Sequence, residues 1–149
     1  MVELLLGKGS LIEAIDKDNN TPLHLAIIGG HTRIAELILE LLKTGASIEA
    51  LGSGGNSPLH LSVQSKHIDM VELLLEKGSL IEAIDKDNNT PLHLAIIGGH
   101  TRIAELILEL PLKTGASIEA MGSGGNSPLH LAVQSKHIDM VELLLENVP

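Results

Sequence analysis

The chain has 149 residues, ten Lys and Arg against nineteen Asp and Glu for a net charge of −9, and no Cys, Phe, Tyr or Trp. The acidic balance argues against nucleic acid, whose phosphates need clustered Lys and Arg, and the missing aromatics remove base stacking. Without cysteine there is no disulfide framework, thiolate nucleophile or zinc ribbon, and the apolar runs fall far short of the roughly 20 residues that cross a bilayer.

In chain order, Met1-Val2-Glu3-Leu4-Leu5-Leu6 comes first and reappears at 70–75, so the chain is expected to open inside a second helix whose first helix is missing. Residues 10–45 then read as one repeat. Asp16-Lys17-Asp18-Asn19-Asn20 is a turn, rich in residues that accept positive φ. Thr21-Pro22 starts a short helix, the hydroxyl capping an orphan N–H and the proline standing where its missing donor costs nothing. Gly29-Gly30 stops it. Thr32 is expected to cap a second helix, with Ile34, Leu37, Ile38, Leu41 and Leu42 as its buried stripe, ended by a left-handed Gly45.

Residues 46–78 repeat the plan: Ile48-Glu49-Ala50-Leu51 leads into Gly52-Ser53-Gly54-Gly55-Asn56, expected as a flexible tip, and then into Ser57-Pro58-Leu59-His60. Residues 79–115 and 116–149 repeat both. Residues 1–41 return as 70–110 with Gly7 answered by Glu76, and residues 43–76 return as 113–146 with Leu51 answered by Met121 and Ser62 by Ala132. The copies slip by one residue at Pro111, which is expected to break or kink its helix. Such near identity points to recent duplication or deliberate construction, because packing alone tolerates many hydrophobic exchanges.

Thr21-Pro22-Leu23-His24, Ser57-Pro58-Leu59-His60, Thr90-Pro91-Leu92-His93 and Ser127-Pro128-Leu129-His130, spaced by 36, 33 and 37 residues, mark a stacked array of units too small to fold alone. With the turns at Gly30-His31 and Gly99-His100 and the segment Gly-Ala-Ser-Ile-Glu-Ala, the pattern resembles the ankyrin repeat over nearly the whole chain. The resemblance implies an all-α repeat solenoid of helix-turn-helix units with β-hairpin or turn fingers, in one domain: a partial repeat at 1–9 and four repeats at 10–45, 46–78, 79–115 and 116–149. Asn19 and Asn88 stand where the family usually has Gly, and Ser65-Lys66-His67 and Ser135-Lys136-His137 lack the usual glycine before His. Asn visits the left-handed region readily enough to replace Gly.

Sharper chemistries fall to plainer ones. The eight histidines form four pairs seven residues apart, but they sit at the family's structural positions and no carboxylate or thiol completes a metal set. The Asp16 turn fails as a calcium loop, with Thr21 for the required Gly and Ile27 for the bidentate Glu. Gly52-Ser53-Gly54-Gly55 lacks the Lys-Ser/Thr of a phosphate loop. Glu36/Glu40 and Glu72/Glu76 are a solvated helix face, with no pocket or nucleophile nearby in sequence. No metal, cofactor or catalytic residue is therefore expected.

The resemblance implies a non-catalytic module binding a protein partner through a concave face of fingers and first helices. Its candidate residues are Lys17, Asp18, Asn20 and Ile28, then Ser53, Asn56, Gln64 and Ser65, with copies Lys86, Asp87, Asn89, Ile97, Ser123, Asn126, Gln134 and Ser135. Neither nucleic acid nor membrane insertion is expected. The alternative is a structural array that self-associates through uncapped ends, or a fragment of a larger ankyrin effector or scaffold protein. No Sec-type leader precedes the first repeat, and the location implied is the cytoplasm, or a host's cytoplasm for a secreted effector.

Overall fold

The computed structural model describes residues 12–42, 47–109 and 118–147. They form eight α-helices: α1 (Pro22–Ile28), α2 (Thr32–Leu41), α3 (Pro58–Gln64), α4 (Ile68–Glu76), α5 (Pro91–Ile97), α6 (Thr101–Leu108), α7 (Pro128–Gln134) and α8 (Ile138–Glu146). Short 3-10 turns lie at Ser47–Glu49, Ser53–Gly55 and Ser123–Gly125. Among the described residues there is no strand, so the fingers, for which β-hairpins or turns were both open, are turns here. The partial repeat at 1–9, Gly45 and Pro111 lie outside the described residues.

All four first helices begin the same way. Thr21, Ser57, Thr90 and Ser127 are N-caps whose hydroxyls accept from the backbone N–H of the His three residues on, and the His side chain reaches back to the cap's own N–H. This is a capping box with His in the place of Glu or Gln. Proline follows the cap in every case. At Thr21 the reciprocal bonds are 3.4 Å from His24 N to Oγ1 and 3.1 Å from Thr21 N to His24 Nδ1.

The first and second helices are joined through a left-handed residue, Gly30 at φ 70°, Lys66 at 59°, Gly99 at 70° and Lys136 at 60°. At Gly30 there is a second demand, since a Cβ would lie 3.0 Å from His67 Cε1. The second helices start at His31, His67, His100 and His137 without a side-chain cap bond, so Thr32 is the first helical residue rather than the cap.

The contacts divide the chain into residues 1–80 and 81–149. In the first unit α1 packs on α2 and α3 on α4, while α1 meets α3 and α2 meets α4. The second unit repeats this with α5 on α6, α7 on α8, α5 against α7 and α6 against α8. The cores are aliphatic. Leu23, Ile27, Leu59, Val63, Met70 and Leu74 are buried in the first, and Ile96, Ile103, Ile107, Met140 and Leu144 in the second. The expected stripe on α2 needs correction, for its buried residues are Ala35, Ile38 and Leu39, whereas Ile34 and Leu41 are 40% and 43% exposed. At Ile34 the difference does not lie in the helix position, since its copy Ile103 is only 2% exposed.

Candidate functional site

Each first finger is built on an aspartate. Asp16 Oδ1 accepts from the N–H groups of Asp18 at 2.8 Å and Asn20 at 2.9 Å, and Asn19 closes the turn at φ 66°. Asp85 makes the same two bonds with Asp87 and Asn89. An aspartate that bonds backbone two residues ahead mimics a backbone turn, which is why Asp opens both fingers. Lys17 and Asp18, and their copies Lys86 and Asp87, stand exposed at the tips.

The glycine fingers, expected as flexible tips, carry turn bonds of their own. Gly52 N donates to Asn56 O at 2.8 Å and Asn56 Nδ2 to Ser53 O at 3.0 Å, with Gly54 and Gly55 at positive φ. Gly52 is small for a neighbour's sake, because its Cβ would lie 2.5 Å from Asn20 Oδ1. Gly122 stands likewise against Asn89.

Finger meets finger inside each unit. Ser53 N donates to Asn20 Oδ1 at 3.5 Å and Ser123 N to Asn89 Oδ1 at 3.1 Å. Asn20 and Asn89 are buried. Although both were candidates for the binding face, their side chains hold adjacent repeats together. Asn56 and Asn126 serve their own turns. The other candidates are at least partly open: Ile28 and Ile97 are 49% and 48% exposed, Ser53, Gln64, Ser123, Gln134 and Ser135 are exposed, and Ser65 is half-buried.

The histidines of the first helices are structural. His24 Nδ1 takes the cap's bonds, which leaves the proton on Nε2 to be donated to Asn56 O at 3.3 Å. His93 does the same toward Ala120 O at 2.9 Å. Burial pushes both imidazoles below the usual histidine range, against the upward pull of their carbonyl partners and of Asp16 or Asp85. Both ring nitrogens of each are thus occupied, and both rings are biased toward neutrality. Among the described residues no three His, Asp or Glu side chains stand close enough to hold a metal ion, and no helix is long and apolar enough to cross a membrane. Burial likewise raises the Glu49 carboxyl, although the N–H of Leu80, 2.9 Å away, pulls it down.

Exposed aliphatic side chains beside the fingers were missed in the sequence. Ile15, Leu25 and Leu51 are 62%, 48% and 54% exposed, and Ile84 and Met121 are 52% and 62%. Leu25 and Ile28 are three apart and so share a helix face. A seven-residue helix is too short for that face to declare itself by period, because Leu23, Ala26 and Ile27 point the other way. Arg33 and Arg102 are engaged within their own helices, with Glu36 at 3.1 Å and Glu105 at 3.2 Å. These pairs are solvent-exposed and add little stability.

A family model for ankyrin repeats in three copies matches residues 1–85 and 78–148. A search of curated proteins returned no significant match.

Proposed function

The chain belongs to the ankyrin-repeat family, and we propose that it is a non-catalytic module that binds a protein partner through its fingers and first helices. Ankyrin repeats serve generally in protein–protein interaction. The observation behind the reading here is that the finger segments and first helices, which carry the charged tips, also leave aliphatic side chains exposed. They are Ile15, Leu25, Ile28 and Leu51 in the first unit, and Ile84, Ile97 and Met121 in the second. Leu25 and Ile28 lie three apart on one face of α1, and neighbouring exposed aliphatic side chains are the mark of an interaction site.

Lys17 and Asp18, with Lys86 and Asp87, supply the polar rim. The net charge of −9 favours a partner with a basic or polar surface around an apolar centre. Because the two-repeat block occurs twice, a partner with two like epitopes gains avidity if both can be engaged together. Asn20 and Asn89 contribute by setting finger against finger rather than by contact.

The test is a pull-down from cell lysate with mass-spectrometric identification. The parent chain is compared with a variant carrying Lys17, Asp18, Lys86 and Asp87 as alanine, and with another carrying Ile28→Lys and Ile97→Lys. A protein enriched by the parent and lost with both variants, at unchanged helix content, supports the reading. The same protein recovered equally by all three chains removes the fingers and first helices from the binding surface.

A further inference from the structure

We propose that His24 and His93 are proton-operated clasps: a proton taken up at Nδ1 releases the peptide that closes the Asp finger and so opens the finger contact inside each unit. The clasp is a single peptide group. Between Asn20 and Thr21 the carbonyl accepts from Asp16 N–H at 3.0 Å, closing the finger, while the N–H donates to His24 Nδ1 at 3.1 Å. The peptide between Asn89 and Thr90 is held in the same way, by Asp85 N–H at 3.0 Å and His93 Nδ1 at 3.1 Å. Asn20 and Asn89 extend the joint to the neighbouring finger, their Oδ1 atoms accepting from Ser53 N–H and Ser123 N–H.

Only a neutral ring fits. Each Nε2–H is given to a carbonyl of the glycine finger segment, Asn56 O for His24 and Ala120 O for His93. Nδ1 must therefore carry the lone pair that the N–H of Thr21 or Thr90 needs. A proton from solvent added to Nδ1 fills that lone pair and sets two N–H groups against each other. The Nε2 bond survives, because an imidazolium donates from both nitrogens. The bond that fails is the one to the peptide, whose N–H belongs to residues only 3% and 5% exposed. A buried N–H without an acceptor is unfavourable, so the peptide turns toward water. In turning it draws Asn20 O from Asp16 and Asn20 Oδ1 from Ser53.

The charges around each ring are few. Asp16 is the group whose charge draws a proton to His24. Of the other ionisable groups on the elements packed against it, Glu49 takes the N–H of Leu80, Arg33 and Glu36 on α2 pair with each other, and His60 on α3 serves the Ser57 cap. Glu40 on α2 is exposed. Asp85 and Glu82 act on His93. Around it Arg102 on α6 pairs with Glu105 and Glu109, while Glu119 and His130 on α7 are exposed. At both rings burial outweighs these attractions, so the clasp stays closed until the solution is more acidic than about pH 6.5.

One consequence rests on the binding function proposed above: acid disarranges Lys17, Asp18, Lys86 and Asp87 and releases the partner. The clasp itself needs no partner, so its failure and the failure of that function are told apart by working on the chain alone.

Nuclear magnetic resonance on the whole chain between pH 7.5 and pH 5 is the test. Imidazole nitrogen shifts should show the Nε2–H tautomer at His24 and His93 at the upper pH. Protonation of these rings should coincide with at least a tenfold loss of amide-exchange protection at Asp16, Thr21 and Ser53, and at Asp85, Thr90 and Ser123, after correction for intrinsic rates. The amides of Leu74 and Leu144 should keep theirs. Introducing His24→Gln and His93→Gln together supplies an amide oxygen that takes the same N–H without titrating, and finger protection should then stay constant. If circular dichroism shows that variant unfolded, the coincidence of ring and finger midpoints in the parent decides alone. Finger and core amides losing protection by one factor, finger protection constant through the ring titration, or equal losses in parent and folded variant overturn the proposal.

Discussion

Residues 57–64 and 127–134 differ only in Ser62 against Ala132, and their N-caps agree to within a degree, at φ −76°, ψ 166° and φ −77°, ψ 166°. Their surroundings do not agree. Leu59, His60 and Val63 are completely buried, while Leu129 is half-buried, His130 exposed and Val133 60% exposed. Eight residues thus suffice to set cap, helix and stop. They do not decide whether the helix face ends in a core or on a surface, since that depends on what lies opposite.

The largest expected consequence is in truncation. Leu59→Ala should cost about 2–5 kcal/mol by cavity formation, and Leu129→Ala about 1 kcal/mol, because less area leaves water there on folding. Urea denaturation of the two variants measures the difference, and equal losses would mean that the two faces are equally covered in solution.

Next comes the histidine at the same place in the second unit. His93→Ala removes the cap partner and also orphans Ala120 O, at a cost of about 2–3 kcal/mol. His130→Ala removes the cap partner alone, for about 1 kcal/mol. Thermal melts of both variants at pH 7.5 give the ranking.

The same buried rings make stability depend on pH. Because folding lowers the pKa of His24 and His93, the unfolded chain binds their protons more readily. Their contribution is complete above about pH 6.5, the ordinary histidine value, and is lost as pH falls through the lower folded values. Glu49 runs in the opposite sense, its raised folded pKa favouring the fold below the ordinary carboxylate value, with the advantage lost as pH rises through the folded value. Stability should therefore fall between pH 7.5 and pH 5.5. Introducing His24→Gln and His93→Gln together should flatten that slope, and a slope left unchanged would assign the acid sensitivity to other groups.

Two smaller effects concern the backbone and the one differing residue. Lys66 and Lys136 hold a left-handed conformation that Gly30 and Gly99 hold without a Cβ penalty. Lys66→Gly should accordingly be stabilising by up to about 1 kcal/mol, and Gly30→Ala destabilising by about 1–2 kcal/mol. Ser62→Ala gives the first copy the residue of the second. It removes a hydroxyl bonded to Leu59 O at 2.8 Å and should shift the melt by no more than about 1 kcal/mol.

Much of this was legible beforehand for a local reason. The four Ser/Thr-Pro-Leu-His starts, the stop at Gly29-Gly30 and the left-handed Asn19 rest on bonds between residues at most four apart, so a short window of sequence contains every participant. The binding surface was less legible. Lys17, Asp18, Ile28 and their copies do stand open, but Asn20 and Asn89 turn toward a finger some 33 residues away, and no window around them contains their partner.

By itself, then, the sequence determined where the first helix of each repeat begins and how often the unit recurs, because helix capping and turn chemistry are settled within a few residues. The tertiary structure alone decided that Ile34 lies open while Ile103 is buried, that Asn20 joins two fingers, and that one copy of Leu-His-Leu makes core while the other makes surface. Burial is a relation between a side chain and whatever faces it, and two identical segments can have different neighbours.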